Sequence, residues 1–309
     1  MITGATSMIG VATINALLKR EGECKIYAVI RSNSNHIDRI PHDDRVKHLF
    51  CDMKDYIDLT NRIDEKCDSF IHLAWLRTDT YSESYEDMLI KCQNMMGVLS
   101  AVEVAKHLGC SRFVYAGGQS EYGIHCKSPL TPETECNPVR VDGVAKFAAG
   151  KMGKILAEKY GLVFVWMRIF SAYGEYDRDN SLIMSTIRKM QKGERLLFTP
   201  CEQKWEFLNA RDIGEAFCLA AQKATKSKVY CVGSGDAKPL KEFIYAIRDV
   251  VNPDANLEIG ALPYPKDAVM YLCADNSSLK DDLGWEPRIS FKDGIEKILI
   301  SQNNYYIEK

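Results

Sequence analysis

The segment Gly4-Ala-Thr-Ser7-Met-Ile-Gly10 follows a short apolar run and opens a stretch rich in helix formers (Ala12, Ala16, Leu17, Leu18). Glycines so placed between a strand and a helix serve a dinucleotide pyrophosphate: the first makes a tight turn and the last lets helix pack on strand. Ser7 stands at the middle glycine, where a small hydroxyl can still donate to phosphate while the helix N-terminus attracts the anion. The candidate cradle is therefore Gly4, Thr6, Ser7, Met8, Ile9 and Gly10; the plain alternative is a glycine-bearing turn. Arg31, with Ser32 and Asn33, follows the run KIYAVI, at the position where an acidic residue would hold the ribose hydroxyls of NAD. An arginine there can pair with a 2′-phosphate, so NADP(H) is favoured over NAD(H), against the reading of a merely solvated arginine.

These residues need a scaffold, and the patterning supplies one. Apolar β-rich runs (MIT, KIYAVI, VKHLF, FIHLAW, RFVYAG, LVFVWMRIF) alternate with helical patterns near 10–20, 84–108 and 143–160. Such alternation implies βαβ units and a parallel sheet. We expect an α/β fold, a doubly wound Rossmann sheet over residues 1–175 with a later strand returning near 205–235, at VYCVG. Residues 176–309 then form mainly a smaller C-terminal α/β substrate lobe, interleaved with the first. Its expected pieces are helices at SLIMSTIRKMQKGE, IGEAFCLAAQKA, KEFIYAIRDVV and SLKDDLGWEP, with LLFTPCEQKWEFLNARD as strand and loop. The first strand is short, only Met1, Ile2 and Thr3 before Gly4, where a buried strand usually has about 5 to 6 residues.

In this order, TGATSMIG, Asp52-Met53, HLAW (His72 to Trp75), Asn94-x-x-Gly97, RFVYAGGQSEYG, Lys146 near a helix start, MRIFSAYG (Arg168 to Gly174), Arg211-Asp212 and LGWEP cover nearly the whole chain. The chain resembles the extended short-chain dehydrogenases, which include NAD(P)-dependent nucleotide-sugar epimerases, dehydratases and reductases. The resemblance implies that Asp52 and Met53 lie by the adenine and that Leu73 and Ala74, with Trp75, line the cofactor channel. Asn94 would stand behind the nicotinamide-side strand, and Lys146 would hydrogen-bond the nicotinamide ribose. Phe170, Ser171, Ala172 and Tyr173 would face the nicotinamide and sugar nucleotide, with Gly118, Gln119 and Tyr122 beside the sugar.

The resemblance breaks at its proton chemistry. Relatives use Tyr-x-x-x-Lys with a nearby Ser or Thr; the tyrosine exchanges a proton at the sugar oxygen while hydride moves, and the lysine lowers its pKa. Here Asp142 stands four residues before Lys146, and Gly118 stands four before Tyr122. An aspartate with a reference pKa near ~3.9 is ionised beside a lysine, and an i,i+4 Asp-Lys pair at a helix start is a stable ion pair rather than an acid. Working as a general acid would need its pKa raised by ~3 units, against the pull of the cation. Tyr122, Ser120, Glu121 and Asp142 are the candidate substitutes, and shaping the substrate is the alternative role for the first three. Ser120 should lie on the other side of the segment from Gly118 if the chain stays extended.

Two functions follow: an enzyme transferring hydride to or from a nucleotide-linked sugar, or a catalytically impaired protein that binds dinucleotide and nucleotide-sugar. A formal charge of -2 gives no global attraction to nucleic acid or anionic membrane. The odd set of 11 cysteines shows no C-x-x-C pair and no zinc spacing, which argues against a disulfide scaffold and a metal site and suits a reducing cytoplasm. No apolar run reaches the ~18 to 20 residues of a membrane span. A homodimer is expected through the helices near 84–108 and 143–160, with the small residues Ala148, Ala149 and Gly150 at the contact.

Overall fold

The computed structural model describes residues 1–22, 24–76, 84–124, 129–266 and 268–307. Its centre is a seven-stranded parallel sheet made of β1 (Ile2–Thr3), β2 (Ile26–Ile30), β3 (Val46–Phe50), β4 (Ser69–His72), β5 (Arg112–Gly118), β6 (Val163–Ile169) and, later in the chain, β11 (Lys228–Val232). The spatial order β11-β6-β5-β4-β1-β2-β3 reverses direction between β1 and β4. That reversal opens a crevice at the carboxyl ends of the strands, which is where open α/β sheets bind ligands. β1 is as short as the sequence suggests, but Met1 extends its ladder, its carbonyl accepting from Ile71 N at 2.9 Å.

Helices cover both faces. On one side α1 (Met8–Leu18) packs on α5 (Ala210–Lys223), with α7 (Ser277–Leu283) beside β11. On the other, α2 (Tyr85–His107) packs on α3 (Val141–Lys159). The starts of α1 and α2 have a sequence cause: the hydroxyl of Ser7 accepts from Gly10 N, and that of Ser84 accepts from Asp87 N, both typical N-caps. Register is fixed by buried side chains. Phe70, Phe113 and Phe164 sit opposite one another on β4, β5 and β6, with ring centroids 5.4 and 5.6 Å apart. A one-residue slip would turn every one of them to the other face.

A separate apolar cluster lies beyond β6. It joins Tyr173 of β7 (Ala172–Tyr173), α4 (Leu182–Lys192), β8 (Leu196–Leu197), α6 (Leu240–Val251) and α8 (Phe291–Ile307). The segment read as strand and loop is broken into β8, β9 (Lys204–Trp205) and β10 (Leu208–Asn209). These pair respectively with β13 (Leu257–Glu258), β12 (Lys238–Pro239) and β7. α8 lies outside the elements expected from the sequence, although Phe291, Ile295 and Ile298 recur at helical spacing and pack into this cluster. Glu206, between β9 and β10, is a buried tie between segments. Its carboxylate accepts from Ser234 Oγ, Gly235 N and Ala274 N at 3.0, 2.7 and 2.9 Å. Burial pushes its pKa up to about 7 despite these donors. Among the described residues no helix is long and apolar enough to cross a membrane.

α3 corrects one expectation. Ala149 and Gly150 face the core rather than a partner: a Cβ on Gly150 would lie 2.2 Å from Trp166, and Ala149 is fully buried. The exposed stripe of α3 is instead Val144, Met152 and Ile155, and that of α2 is Tyr85, Leu89 and Met96.

Candidate functional site

The glycine loop has the geometry of a phosphate cradle. Gly4 has φ +69°, and a Cβ there would lie 2.8 Å from Ala74 N; a Cβ on Gly10 would lie 2.3 Å from the Gly4 carbonyl oxygen. Only glycine lets the turn form and lets α1 approach β1 and the β4 end this closely. Because Ser7 Oγ accepts from Gly10 N at 3.0 Å, its own O–H remains a donor, so the hydroxyl expected near phosphate is also the helix cap. Thr6 is part-exposed in the same turn. Ile9 packs against the core of the α1 face, and Met8 turns to a separate cavity of about 210 Å³ shared with Tyr176 and Arg211. Their side chains thus shape the loop from behind, and what they can offer a ligand is backbone.

Beyond β2 and β3 a cavity of about 380 Å³ is lined by Arg31, Asp52, Met53, Lys54, Leu76 and Gly97, among others. It lies past the carboxyl ends of β2 and β3, which Arg31 and Asp52 follow. Asp52 Oδ1 accepts from Ser32 N at 3.0 Å, joining the two loops that frame it. Gly97 lets Met53 pack close to α2: the Met53 Sδ would lie 2.5 Å from an added Cβ, so a larger residue would push that side chain aside. Lys54 brings a second cation beside Arg31 that sequence reasoning missed; a lysine directly after Asp52-Met53 was the available signal. Asn94 is fully buried, and its amide is occupied by Leu76, accepting from Leu76 N at 2.7 Å and donating to Leu76 O at 2.8 Å. These two bonds tie α2 to the segment that follows β4.

At the other end the strand β5 ends at Gly118 and turns at once into a 3-10 turn, Gln119–Tyr122. The chain therefore does not stay extended. Ser120 comes round to the same side as Gly118: a Cβ built on Gly118 would lie 3.8 Å from Ser120 Oγ and 3.5 Å from Lys146 Nζ. The space in front of Gly118 is thus bounded by one hydroxyl and one ammonium. Tyr122 points the opposite way. Its hydroxyl is buried, donating to the Thr131 carbonyl at 2.8 Å and lying 3.1 Å from Cys231 Sγ, and burial pushes its pKa far above the ordinary tyrosine value. As an acid or base facing the cleft it is excluded by this placement. Glu121 is likewise buried, paired with Arg168 at 2.8 Å and accepting from Gly118 N.

The segment after β6 also differs from expectation. Phe170 and Tyr173 are buried, the first against Tyr122 and the second with its hydroxyl toward the Ser290 and Phe291 carbonyls. Their rings fill two separate apolar clusters, and Ser171 and Ala172 between them are half-buried. Gln119 Oε1 accepts from Ser171 N at 3.0 Å, tying the end of β5 to the end of β6.

Asp142 and Lys146 are brought together with two residues from other elements. Asp142 Oδ1 accepts from Trp75 Nε1 at 2.9 Å and from Lys91 Nζ at 3.0 Å, while Oδ2 lies 3.7 Å from Lys146 Nζ. Burial pushes the Asp142 carboxyl up, but Lys146, Lys91 and Trp75 together outweigh it and hold it below the ordinary carboxylate value. The aspartate is an anion here and does not act as an acid at neutral pH. Lys91 was not foreseen, although its place on the buried stripe of α2, three before Asn94 and seven before Val98, marks it as a charge on an apolar face.

A model described as the NAD dependent epimerase/dehydratase family matches residues 1–233. The chain belongs to that family. Across almost its full length it is similar to a protein named putative UDP-glucose 4-epimerase from Methanocaldococcus jannaschii, at 22% identity over 97% of this chain and 96% of that one. Among solved structures of the same fold, UDP-glucuronic acid 4-epimerase from Bacillus cereus in complex with UDP-glucuronic acid and NAD aligns with TM-score 0.85 and 20% identity, covering 99% of both chains. RMD from Pseudomonas aeruginosa complexed with NADPH aligns with TM-score 0.78 and 22% identity, covering 97% of this chain and 98% of that one. The cradle at Gly4–Gly10 and the cavity at Arg31 and Asp52 fit the nicotinamide dinucleotide that this family uses.

Proposed function

We propose that the protein transfers hydride between a nicotinamide dinucleotide and a sugar linked to a nucleotide, at the space in front of Gly118. The dinucleotide, when bound, supplies the hydride acceptor or donor. The observation that carries the reading is the alignment of three features along one crevice: the phosphate cradle, the adenosine cavity, and a polar end bounded by Lys146 and Ser120. NADP(H) is the proposed partner, supported by Arg31 with Lys54 at the adenosine end. Gly4, Ser7 and Gly10 hold the pyrophosphate, Asp52 and Met53 the adenine, Leu73 and Ala74 the channel, and Lys146 the nicotinamide ribose. Ser171 and Gln119 border the sugar. Residues 176–309 contribute most of the substrate lobe, a division supported by the separate apolar cluster beyond β6.

With tyrosine absent at position 142 and Tyr122 turned inward, Ser120 is the hydroxyl that meets a sugar oxygen, and Lys146 is the cation that holds the proton nearby. A second reading, a binding protein without turnover, is favoured by the two departures Gly118 and Asp142 themselves; the kinship with named epimerases and reductases supports the enzymatic one. The deciding measurement is nicotinamide absorbance of purified protein on adding nucleotide-linked sugars. An absorbance change that Ser120→Ala abolishes supports the enzyme. Dinucleotide bound without any change supports the second reading, and no dinucleotide bound overturns both.

We also propose a homodimer built on the exposed stripes of α2 and α3, and residence in the cytoplasm, which the free thiols of the described cysteines support.

A further inference from the structure

We propose that Lys91 is a positioning residue of the site: from the buried face of α2 it clamps the Asp142 carboxylate and, through it, fixes the Lys146 ammonium beside Gly118, so that two lysines and one aspartate act as a single unit. Lys91 is only 6% exposed. A lysine this deep must meet an anion, since an unpaired buried charge is strongly unfavourable. It meets one, Asp142 Oδ1 at 3.0 Å.

The geometry says what the clamp achieves. Asp142 itself has a 41% exposed side chain, and an isolated i,i+4 pair at that exposure would be loose and weak. Lys91 and the Trp75 indole N–H hold one carboxylate oxygen from the protein side, which leaves the other, Oδ2, facing Lys146. Lys146 is in turn bracketed by that oxygen and by the Trp75 ring, 5.4 Å from its centroid. Its backbone is held too, the Lys146 carbonyl accepting from the buried Tyr115 hydroxyl at 2.9 Å. The ammonium is thus held from two sides at the edge of the space where a Gly118 side chain would stand.

The groups that face Asp142 are Lys91 from α2, Lys146 from its own helix, Trp75 from the segment after β4, and Tyr115 from β5, a neutral phenol whose pKa burial raises further. Removing Lys91 removes one of two cations, so the carboxyl should take up a proton at higher pH.

The inference rests on the proposal that Lys146 meets the cofactor ribose, and the test separates the two. Lys91→Met, Lys91→Arg, Asp142→Asn and the double variant Lys91→Met/Asp142→Asn are compared with wild type by two readouts. The first, needing no cofactor, is the acid titration of the Asp142 carboxyl followed by carbon-13 NMR. The second is NADPH affinity. Lys91→Met should move the titration upward and weaken NADPH roughly tenfold, in the range found for coupled neighbours, while Lys91→Arg restores both. The double variant should be no weaker than the worse single one. An unmoved titration in Lys91→Met, or losses that simply multiply in the double variant, would overturn the proposal. If wild type itself binds no dinucleotide, the functional reading falls and the titration alone still decides the role of Lys91. Should Lys91→Met fail to fold, Lys91→Gln, which keeps a polar head without the charge, takes its place under the same criteria.

Discussion

Arg31 is exposed and lines, with Lys54, the cavity proposed for the adenosine end, so its contribution is open to a clean measurement. A charge-assisted contact to phosphate is worth about 1.5–3 kcal/mol, so Arg31→Ala should weaken NADP(H) by roughly ten- to a hundredfold and leave NAD(H) nearly unchanged. Equal losses for both cofactors would remove Arg31 from the phosphate site. The pair Gly118→Ser with Asp142→Tyr asks the complementary question at the other end. Gly118 has open space toward Lys146 and Ser120, with no atom closer than 3.5 Å to an added Cβ, so a serine fits without strain. Restored acid-base assistance should raise turnover by roughly 10² to 10⁴, while loss of the carboxylate that holds Lys146 should weaken the cofactor as it does in Asp142→Asn. If the unmodified protein already turns over at ~1 to 10³ s⁻¹, Ser120 and Lys146 suffice and the gain will be small. In either outcome Lys91 then faces a phenol in place of its carboxylate partner, so the same variants should be measured with Lys91→Met.

The exposed stripes of α2 and α3 make an element-scale prediction. Met96 and Ile155 are 67% and 69% exposed, unusual for large apolar side chains on neighbouring helices. Ile155→Glu should convert the proposed dimer to monomer in light scattering; a wild-type protein already monomeric at micromolar concentration would refute the interface. At this scale the sequence was most readable where one face of an element is buried. Alternation and period placed β2 to β6 and α1 to α5 within a few residues, because burial on a sheet face or a helix stripe dictates composition. It was least readable where a side chain's direction depends on a turn. The 3-10 turn after Gly118 reverses Ser120 and Tyr122 relative to an extended chain, and nothing in QSEY announces it. The same is true of Ala149 and Gly150, whose small size admits Trp166 of β6 rather than a partner helix. Lys91 shows the converse case: its place on the α2 stripe was visible, but its partner Asp142 lies across the fold and is legible only once α2 and α3 are packed together.

For the molecule as a whole, Glu206 couples stability to pH in an uncommon direction. Burial raises its pKa from 4.5 to about 7, so between those values the native state binds the proton that the unfolded state has lost. Its contribution is full below pH ~4.5 and lost as pH rises through ~7, a change of about 3 kcal/mol. Denaturant unfolding of wild type and Glu206→Gln at pH 4.5 and pH 8 should show the wild type losing that much relative to the variant; parallel curves would refute it. The return of β11 to the edge of the sheet, after β6 has waited through α4 and α5, bears on how the chain assembles. Until Lys228–Val232 has been made and docked, β6 is an open edge whose sequence, Val163–Ile169, is apolar and β-prone and carries a single charge, Arg168. An unpaired edge of that composition is a template for aggregation, and pairings between distant segments form slowly. A fragment ending at residue 175 should therefore precipitate on refolding while the full chain stays dispersed, and a lysine in place of Val165 or Met167 should improve recovery of the fragment while impairing that of the whole protein.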